Sequence, residues 1–410
     1  MASCFRHGFG TEAPRVRALR FGPLSSRISA SFVYVARPLS TTRTLLSPRV
    51  AVLYQDIEPP LIDGTRKPRK PGGSFTASSY TFPRYQDSGA DIAYNLSLLN
   101  DVEVLCPTSN PDPTKHEGWC FPDSEEGILS AIGKGATHLW ANTSLFASHP
   151  LQVSSQISRR PDLRVIGQGP LIVEKYDDKR YVNDILRKTA QFTMPEAWFI
   201  APGKQSVCDI KDSAFPVVAK PARGRGSYGV KVCSNSEALK SHVEALQSEG
   251  LNAIIVERFL AGEEATVTVM PPTADKDYWS LPVVGRFNHV NGIAPYNGAV
   301  AVTSNSRAIT VSDDPAHEKV ARECQGVAKF LGVTAPIRID VRRFAPGTEF
   351  ALFDVNMKPN MTGPGRPGRD DQASLTLMAA AALGWDYKTL LRKILDTSAG
   401  LDKVRSLQPR

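Results

Sequence analysis

The 410-residue sequence has no apolar run long enough to cross a membrane, since none reaches the roughly 18 residues that a transmembrane helix needs. Its six cysteines are scattered without a CxxC pair, which excludes a zinc pattern and a disulfide framework and favours a reducing compartment. The P-loop pattern and the H-R-D and D-F-G motifs of protein kinases are also missing. A protein with a transmembrane helix, a disulfide-rich secreted domain, a P-loop NTPase and a protein kinase are therefore excluded.

Positive charge is concentrated at the N-terminus. Residues 1–50 contain eight arginines, no lysine and one acidic residue, Glu12, so they carry +7 of the net charge of +8. The remainder, 8 − 7 = +1, is almost neutral and gives no reason to expect a nucleic-acid partner. The Arg- and Ser-rich residues 1–48 are typical of a mitochondrial transit peptide, and a disordered extension is the alternative. We expect a cytoplasmic or mitochondrial protein that is not secreted.

The order of apolar runs and turn residues predicts a mixed α/β (α+β) protein with a leader and three folded units. In the first unit, predicted strands alternate with predicted helices, which favours a parallel sheet. In the later units, shorter strands and glycine-rich turns predominate. The predicted segments are a disordered or targeting leader at 1–48, an N-terminal α/β domain at 49–170, a central subdomain at 171–262 and a C-terminal subdomain at 263–410.

A glycine-rich loop follows the predicted strand FPVVAK at 215–220. The segment GRGSYG at 224–229 has the spacing G-x-G-x-x-G, but it runs into the strand-like VKVC, whereas a dinucleotide site needs a helix there. Glycines let the backbone approach a ligand, and their N–H groups suit phosphate oxygens, which Lys220 can also reach. The segment predicts a phosphate-binding hairpin, and a flexible surface hairpin is the alternative.

A second pattern predicts a hairpin that carries two acids. Arg338 and Asp340 are two residues apart in PIRIDVRR and share one face of a strand, as do Asp354 and Asn356 in FDVN. The turn sequence APGT between the two strands predicts an antiparallel hairpin that brings the four side chains together. Two carboxylates and an amide oxygen are hard ligands that suit Mg²⁺. The hairpin is a candidate metal site, and two polar strands facing water are the alternative.

In combination, these patterns resemble the ATP-grasp superfamily. Lys220 with its glycine hairpin, IIVERFLAGEEATV, Arg338-x-Asp340 and Asp354-x-Asn356 follow one another in the order of that superfamily. The likeness is greatest to the catalytic region of D-alanine–D-alanine ligases and covers about residues 170–396. It implies an ATP-grasp fold, in which an N-terminal α/β pre-ATP-grasp domain precedes two α+β subdomains that hold ATP between them.

The resemblance implies a role for each matching residue. Those expected to bind ATP are Lys179 and Lys220 at the phosphates, Gly226, Ser227 and Tyr228 in the closing loop, Glu257, Arg258 and Leu260 at the adenine, and Glu264 at the ribose. Two Mg²⁺ ions, with Mn²⁺ as a substitute, are expected on Asp340, Asp354 and Asn356. The expected catalytic residues are Arg338, which steadies the transferred phosphate, with Lys220 and Ser227.

The segment after Asn356 departs from the D-alanine–D-alanine ligases. The family reads roughly T-x-P-G there, whereas this sequence reads MKPN with Asn360 in place of the glycine, and Gly365 stands where the family has a carboxylate-binding serine. The basic segment GPGRPGRDDQ follows, and its cations are expected to bind a carboxylate or another anion, with a solvated loop as the alternative. The residues expected to contact the substrate are Lys358, Asn360, Arg366 and Arg369.

The activity implied by the resemblance is an ADP-forming ligation of a carboxylate to an amine through an acyl phosphate. That intermediate must be kept from water, so the loops at 222–229 and 286–299 are expected to close over it, and KPGGSF (70–75) to shape the pocket. We expect small amino acid-like substrates and a role in specialised metabolite biosynthesis. No nucleic-acid or membrane partner is expected, and a homodimer is compatible with the resemblance. The alternatives are an ATP-grasp kinase or carboxylase-type enzyme and a non-catalytic nucleotide-binding protein.

Overall fold

The computed structural model describes residues 47–62, 65–66, 85–202, 204–224, 226–295, 301–309 and 314–410. Ser47–Arg410 forms one compact unit. Three predicted segments lie wholly or partly outside the described residues: nearly all of the leader, the loop KPGGSF and the end of the closing loop at 286–299. The domain boundaries at 170 and 262 stay predictions. Within the described ranges, no helix combines the length and apolar character that crossing a membrane requires.

The described residues form 18 strands and ten α-helices. The strands are β1 (Arg49–Tyr54), β2 (Leu61–Ile62), β3 (Thr65–Arg66), β4 (Glu103–Leu105), β5 (Phe121–Pro122), β6 (His138–Asn142), β7 (Arg164–Ile166), β8 (Ala197–Ile200), β9 (Val217–Pro221), β10 (Lys231–Cys233), β11 (Ile254–Arg258), β12 (Glu264–Met270), β13 (Trp279–Ser280), β14 (Val284–Arg286), β15 (Ser306–Ala308), β16 (Ile337–Arg343), β17 (Phe350–Asn356) and β18 (Ala399–Gly400). The helices are α1 (Gln86–Ser97), α2 (Glu125–Gly133), α3 (Pro150–Val153), α4 (Pro170–Tyr176), α5 (Lys179–Thr189), α6 (Ser236–Ser248), α7 (Pro315–Leu331), α8 (Leu375–Ala381), α9 (Tyr387–Leu395) and α10 (Leu401–Ser406).

The first sheet has the order β18-β7-β6-β1-β4, and β5 also pairs with β1. Strands β4, β1, β6 and β7 run parallel, which confirms the predicted parallel sheet. The four central residues of β1, Val50 to Leu53, are completely buried, as expected for a strand covered on both faces. The C-terminal end of the chain returns to this sheet, because β18 pairs with β7 and α9 packs on α1.

Two further sheets are antiparallel. The second has the order β10-β9-β11-β8, and the third has the order β15-β14-β12-β16-β17 with β13 added to β12. A two-stranded ribbon of β2 and β3 stands apart from them. The third sheet has a polar and an apolar face, because the alternate residues Ile337, Ile339 and Val341 of β16 are buried, whereas those between them are part-exposed.

Helix α7 packs along the apolar residues of the third sheet, and its sequence explains both of its ends. Asp314 caps the helix by accepting a hydrogen bond from the Ala316 N–H at 2.9 Å, and Pro315 occupies the first helical position. Gly332 ends it with φ of 67°, a left-handed conformation that glycine adopts without steric cost. With α7 on one face, Arg338, Asp340 and Arg342 of β16 are left on the other.

Candidate active site

The predicted hairpin of the two acids is confirmed. Strands β16 and β17 pair antiparallel, with Arg338 opposite Asn356 and Asp340 opposite Asp354. Side chains of directly opposite residues lie close together on one face of a sheet, with Cβ atoms about 5 Å apart. The hairpin therefore presents an arginine, two carboxylates and an amide within one small area.

A β-bulge in β17 adds a backbone acceptor to this area. The register shifts after Asp340, so that Val341 faces Leu352 and Phe353 is left without a cross-strand partner. The carbonyl oxygen of Phe353 instead accepts hydrogen bonds from Lys220 Nζ at 2.9 Å and from Asn183 Nδ2 at 3.3 Å. The bulge thus ties the lysine of the second sheet to the hairpin of the third.

Asp340 is the most heavily hydrogen-bonded acid of the hairpin. It receives both arms of the Arg338 fork, at 3.0 and 3.1 Å, together with Thr266 Oγ1 at 2.6 Å and Asn356 Nδ2 at 3.0 Å. Burial alone would raise the pKa of the Asp340 carboxyl, but the Arg338 guanidinium and these hydrogen bonds hold that pKa below its usual value. Asp340 is therefore an anion at neutral pH, as a metal ligand must be.

Each predicted phosphate-binding lysine is paired with an acid. Lys179 Nζ lies 2.5 Å from Asp354 Oδ1, and Lys220 Nζ lies 2.6 Å from Glu257 Oε2. Lys220 and Glu257 are only 5% and 3% exposed, so their charges depend on each other for compensation. Asn183 Nδ2 also donates to Glu257 at 2.9 Å. Glu257, predicted near the adenine amino group, is thus also the counter-ion of Lys220.

The glycine-rich loop has the backbone of a tight turn. Gly226, Ser227 and Gly229 all have φ between 59° and 69°, the left-handed region in which an L side chain is strained. Ser227 is the unusual member, since it is neither glycine nor asparagine. Successive turn residues of this kind point N–H groups to one side and can form an anion-binding concavity. Arg225 lies outside the described residues.

A cavity of about 660 Å³ joins these features. All predicted site residues except Arg366 and Arg369 line it, and they are Lys179, Lys220, Gly226, Ser227, Tyr228, Glu257, Arg258, Leu260, Glu264, Arg338, Asp340, Asp354, Asn356, Lys358 and Asn360. The structure therefore brings predicted residues of the central and C-terminal units into one space, and Tyr85, Leu145 and Phe146 of the N-terminal unit also line it. Its size suits a nucleotide-sized ligand, since small-molecule pockets are usually between about 300 and 1,000 Å³. The contacts of these residues with ligands stay predictions.

The structure corrects the prediction for Arg366 and Arg369. Arg366 is completely buried and donates to Asp91 Oδ1 at 2.8 Å and to the carbonyl oxygens of Pro113 and Lys115. Arg369 makes a fork on the same Asp91, at 2.8 and 2.7 Å. Neither side chain lines the cavity, and both positive charges are used to fasten the 363–372 segment to α1. They therefore do not bind a substrate anion in this arrangement.

Lys358 and Asn360 remain at the cavity. Lys358 Nζ lies 3.6 Å from the centre of the Tyr85 ring, a cation–π contact, and Asn360 Oδ1 accepts the Thr362 N–H at 3.1 Å. Gly365, which stands in place of the family serine, has φ of 111°, and a Cβ there would lie 2.8 Å from Asn95 Oδ1. A serine at this position would therefore be strained, which gives the departure a physical reason.

Sequence reasoning missed several polar residues of this site, among them Thr266, Asn183 and Arg286. Thr266 bonds Asp340, Asn183 bonds Glu257 and Phe353, and Arg286 lines the cavity from β14. Of these three residues, only Thr266 could have been inferred from the sequence, because alternation along EATVTVM places it on the same strand face as Glu264. The other two depend on strand order and helix placement.

The donors of the hairpin fit a divalent cation with oxygen ligands. Mg²⁺ is usually held by one or two carboxylates, together with phosphate oxygens and waters, and Asp340, Asp354 and Asn356 offer such a set. Among the described residues, no group of three His, Cys, Asp or Glu side chains has the geometry of a metal site. The candidate ligands on the hairpin are thus two carboxylates and the amide oxygen of Asn356, and not three acidic side chains.

Comparison with known proteins agrees with this geometry. The family model "D-ala D-ala ligase C-terminus" matches residues 191–396, half of the chain. The chain belongs to this family. A D-alanine–D-alanine ligase of Chromohalobacter salexigens is 28% identical over 193 residues, 47% of this chain and 55% of that protein. One of Aquifex aeolicus is 28% identical over 218 residues, 53% of this chain and 68% of its own length. The matches thus span about half to two thirds of these relatives.

The fold of this D-alanine–D-alanine ligase family member is also that of solved structures. A Bacillus anthracis D-alanine–D-alanine ligase complexed with ATP superposes with a TM-score of 0.58 at 20% identity, covering 87% of this chain and 98% of that chain. The VanG D-Ala:D-Ser ligase of Enterococcus faecalis gives a TM-score of 0.56 at 14% identity, covering 85% and 98%. At such identities the likeness shows the fold alone, which is the predicted ATP-grasp fold.

Proposed function

We propose that this protein is an ATP-dependent carboxylate–amine ligase that forms ADP and phosphate. The observation that carries the proposal is the polar hairpin of β16 and β17, where Arg338, Asp340, Asp354 and Asn356 face one cavity with Lys179 and Lys220. Family membership supports the reaction class.

The proposed reaction has two steps. In the first step, an oxygen of the substrate carboxylate attacks the γ-phosphorus of ATP, and the bond between that phosphorus and the bridging oxygen of the β-phosphate breaks. ADP leaves, and the substrate carboxylate has become an acyl phosphate. The amine nitrogen then attacks the acyl carbon, loses a proton, and phosphate leaves with the former carboxylate oxygen. Negative charge spreads over the transferred phosphoryl group, and Arg338, Lys179 and Lys220 would offset it. Mg²⁺ on Asp340, Asp354 and Asn356, or Mn²⁺ in its place, would supply further positive charge.

We further propose a small amino acid-like carboxylate and a small amine as substrates. D-alanine is the first probe, since the curated relatives are named for it. The acceptor is proposed to differ from D-alanine. This is supported by the MKPN segment and by the strain that any residue other than glycine would have at position 365. We place the reaction in specialised metabolite biosynthesis. A homodimer and the two-ion metal content belong to this proposal as well.

The proposal is tested by measuring ADP, phosphate and amide together. Purified full-length protein, ATP and Mg²⁺ are screened against D-alanine, the other amino acids and small carboxylates, with D340A as the blank. We expect one ADP and one phosphate for each amide formed with at least one pair of substrates, and none with D340A. A phosphorylated product without an amide would contradict the proposal and favour a kinase. ATP binding without ADP release from any mixture would favour a non-catalytic nucleotide-binding protein.

A further inference from the structure

Three arginines lie on the polar face of the third sheet, and two of them are paired. Arg338 makes its fork on Asp340, as described above. Arg342 Nη1 donates to the Gly292 carbonyl oxygen at 2.5 Å and lies 3.4 Å from Glu264 Oε2. The acids of this face thus compensate Arg338 and Arg342 directly.

Arg286 is the third arginine, and it is incompletely satisfied. Its Nη2 donates to the Pro295 carbonyl oxygen at 2.7 Å, but its Nε is buried and has no hydrogen-bond partner among the described residues. No carboxylate of the described residues forms an ion pair with it. Burial lowers the pKa of the Arg286 guanidinium, although Asp340 and Glu264 are near enough to act against that shift. A part-buried cation with an unused donor at a cavity wall is costly unless an anion joins it.

The position of Arg286 indicates which anion. Arg286 is opposite Glu264 in the pairing of β14 with β12, and Glu264 is the proposed ribose contact. It also lies within electrostatic range of Asp340, the proposed metal ligand. The phosphate chain of ATP has to run between the ribose and the metal, so it passes the part of the wall that Arg286 forms.

We propose that Arg286 binds the phosphate chain of ATP, as a cation additional to Lys179, Lys220 and Arg338. This inference rests on the proposed function, because it assumes that the cavity holds ATP. Arginine offers a planar fork that matches phosphate oxygens, and its charge persists when part-buried. On binding, the Nε donor and one Nη group would take phosphate oxygens as acceptors.

The test compares nucleotides with and without the outer phosphates. Affinities of the full-length protein for a non-hydrolysable ATP analogue and for AMP, both with Mg²⁺, are measured by titration calorimetry on wild type, R286M, R286K and R307M. Arg307 is exposed on the neighbouring strand β15 and faces Gly285, so R307M removes the same charge away from the cavity. We expect R286M to weaken binding of the ATP analogue on the order of tenfold, about 1.4 kcal/mol. Binding of AMP should weaken by less than about twofold.

R286K and R307M test whether the effect depends on the arginine fork and on its position at the cavity. R286K should recover part of the loss, because it keeps a charge without the fork, and R307M should match wild type. Unchanged affinity of R286M for the ATP analogue, or an equal loss for AMP, would overturn the inference. An unchanged nucleotide affinity with a raised KM for the carboxylate substrate would also overturn it and assign Arg286 to that carboxylate. Wild-type protein that binds neither nucleotide would contradict the proposed function itself, and this inference with it.

Discussion

Replacing Arg338 by alanine is expected to lower kcat for ADP release by roughly 10³-fold or more, the effect of removing an arginine that stabilises phosphoryl transfer. The guanidinium is aimed by its fork on Asp340 and lies directly opposite Asn356 across the hairpin. Charge on the transferred phosphoryl group is greatest in the transition state, so the loss should appear in kcat far more than in KM for ATP. Steady-state kinetics on the substrate pair found in the screen measure both constants.

R338K is the matched control for this result. Lysine keeps the positive charge but not the bidentate geometry, so we expect its kcat to lie between those of wild type and R338A. A loss that falls mainly on KM for ATP would show that Arg338 serves binding in the ground state. An R338A enzyme with kcat within about tenfold of wild type would contradict the role given to Arg338.

Replacing Asp91 by asparagine is expected to lower the free energy of unfolding by about 3–5 kcal/mol, because it leaves buried arginine charge uncompensated. The Asp91 carboxylate is completely buried and accepts hydrogen bonds from Arg366, Arg369 and Thr362 at 2.7 to 2.8 Å. An amide can replace neither the charge nor all of these acceptors. Urea denaturation of wild type and D91N measures the difference.

E103Q provides the surface comparison for D91N. Glu103 makes a similar carboxylate pair with Arg49, but both side chains are well exposed, so solvent compensates each charge once the pair is broken. We expect E103Q to leave the urea midpoint almost unchanged. A D91N protein as stable as E103Q would show that the 363–372 segment is not fastened to α1 by charge.

The features that local patterns determine could be predicted from the sequence. The hairpin of Asp340 and Asp354 follows from alternation within two short strands and the turn between them. The ends of helix α7 also depend on local signals, because Asp314 caps the helix, Pro315 begins it and Gly332 ends it. The glycine loop was predicted from its composition next to a strand that ends in lysine.

Features set by long-range packing could not be predicted in this way. Arg366 and Asp91 are 275 residues apart, and nothing near Arg366 distinguishes a buried structural cation from one that binds a ligand. The bulge at Phe353 also has no turn residue to mark it, yet it provides the carbonyl that Lys220 contacts. Arg286 enters the site only because β14 pairs with β12. Strand order and bulges decide these contacts, and both depend on the whole fold.

The fate of the carboxylate oxygen tests the central claim most directly. The substrate is labelled with ¹⁸O in its carboxylate and incubated with ATP, Mg²⁺ and the amine, and the released phosphate is analysed by mass spectrometry. If ligation proceeds through an acyl phosphate, each phosphate carries one ¹⁸O, because the oxygen that attacked the γ-phosphorus leaves with it. Phosphate without the label would mean that ATP is cleaved by water or that the carboxylate is activated in another way, and either result would contradict the account.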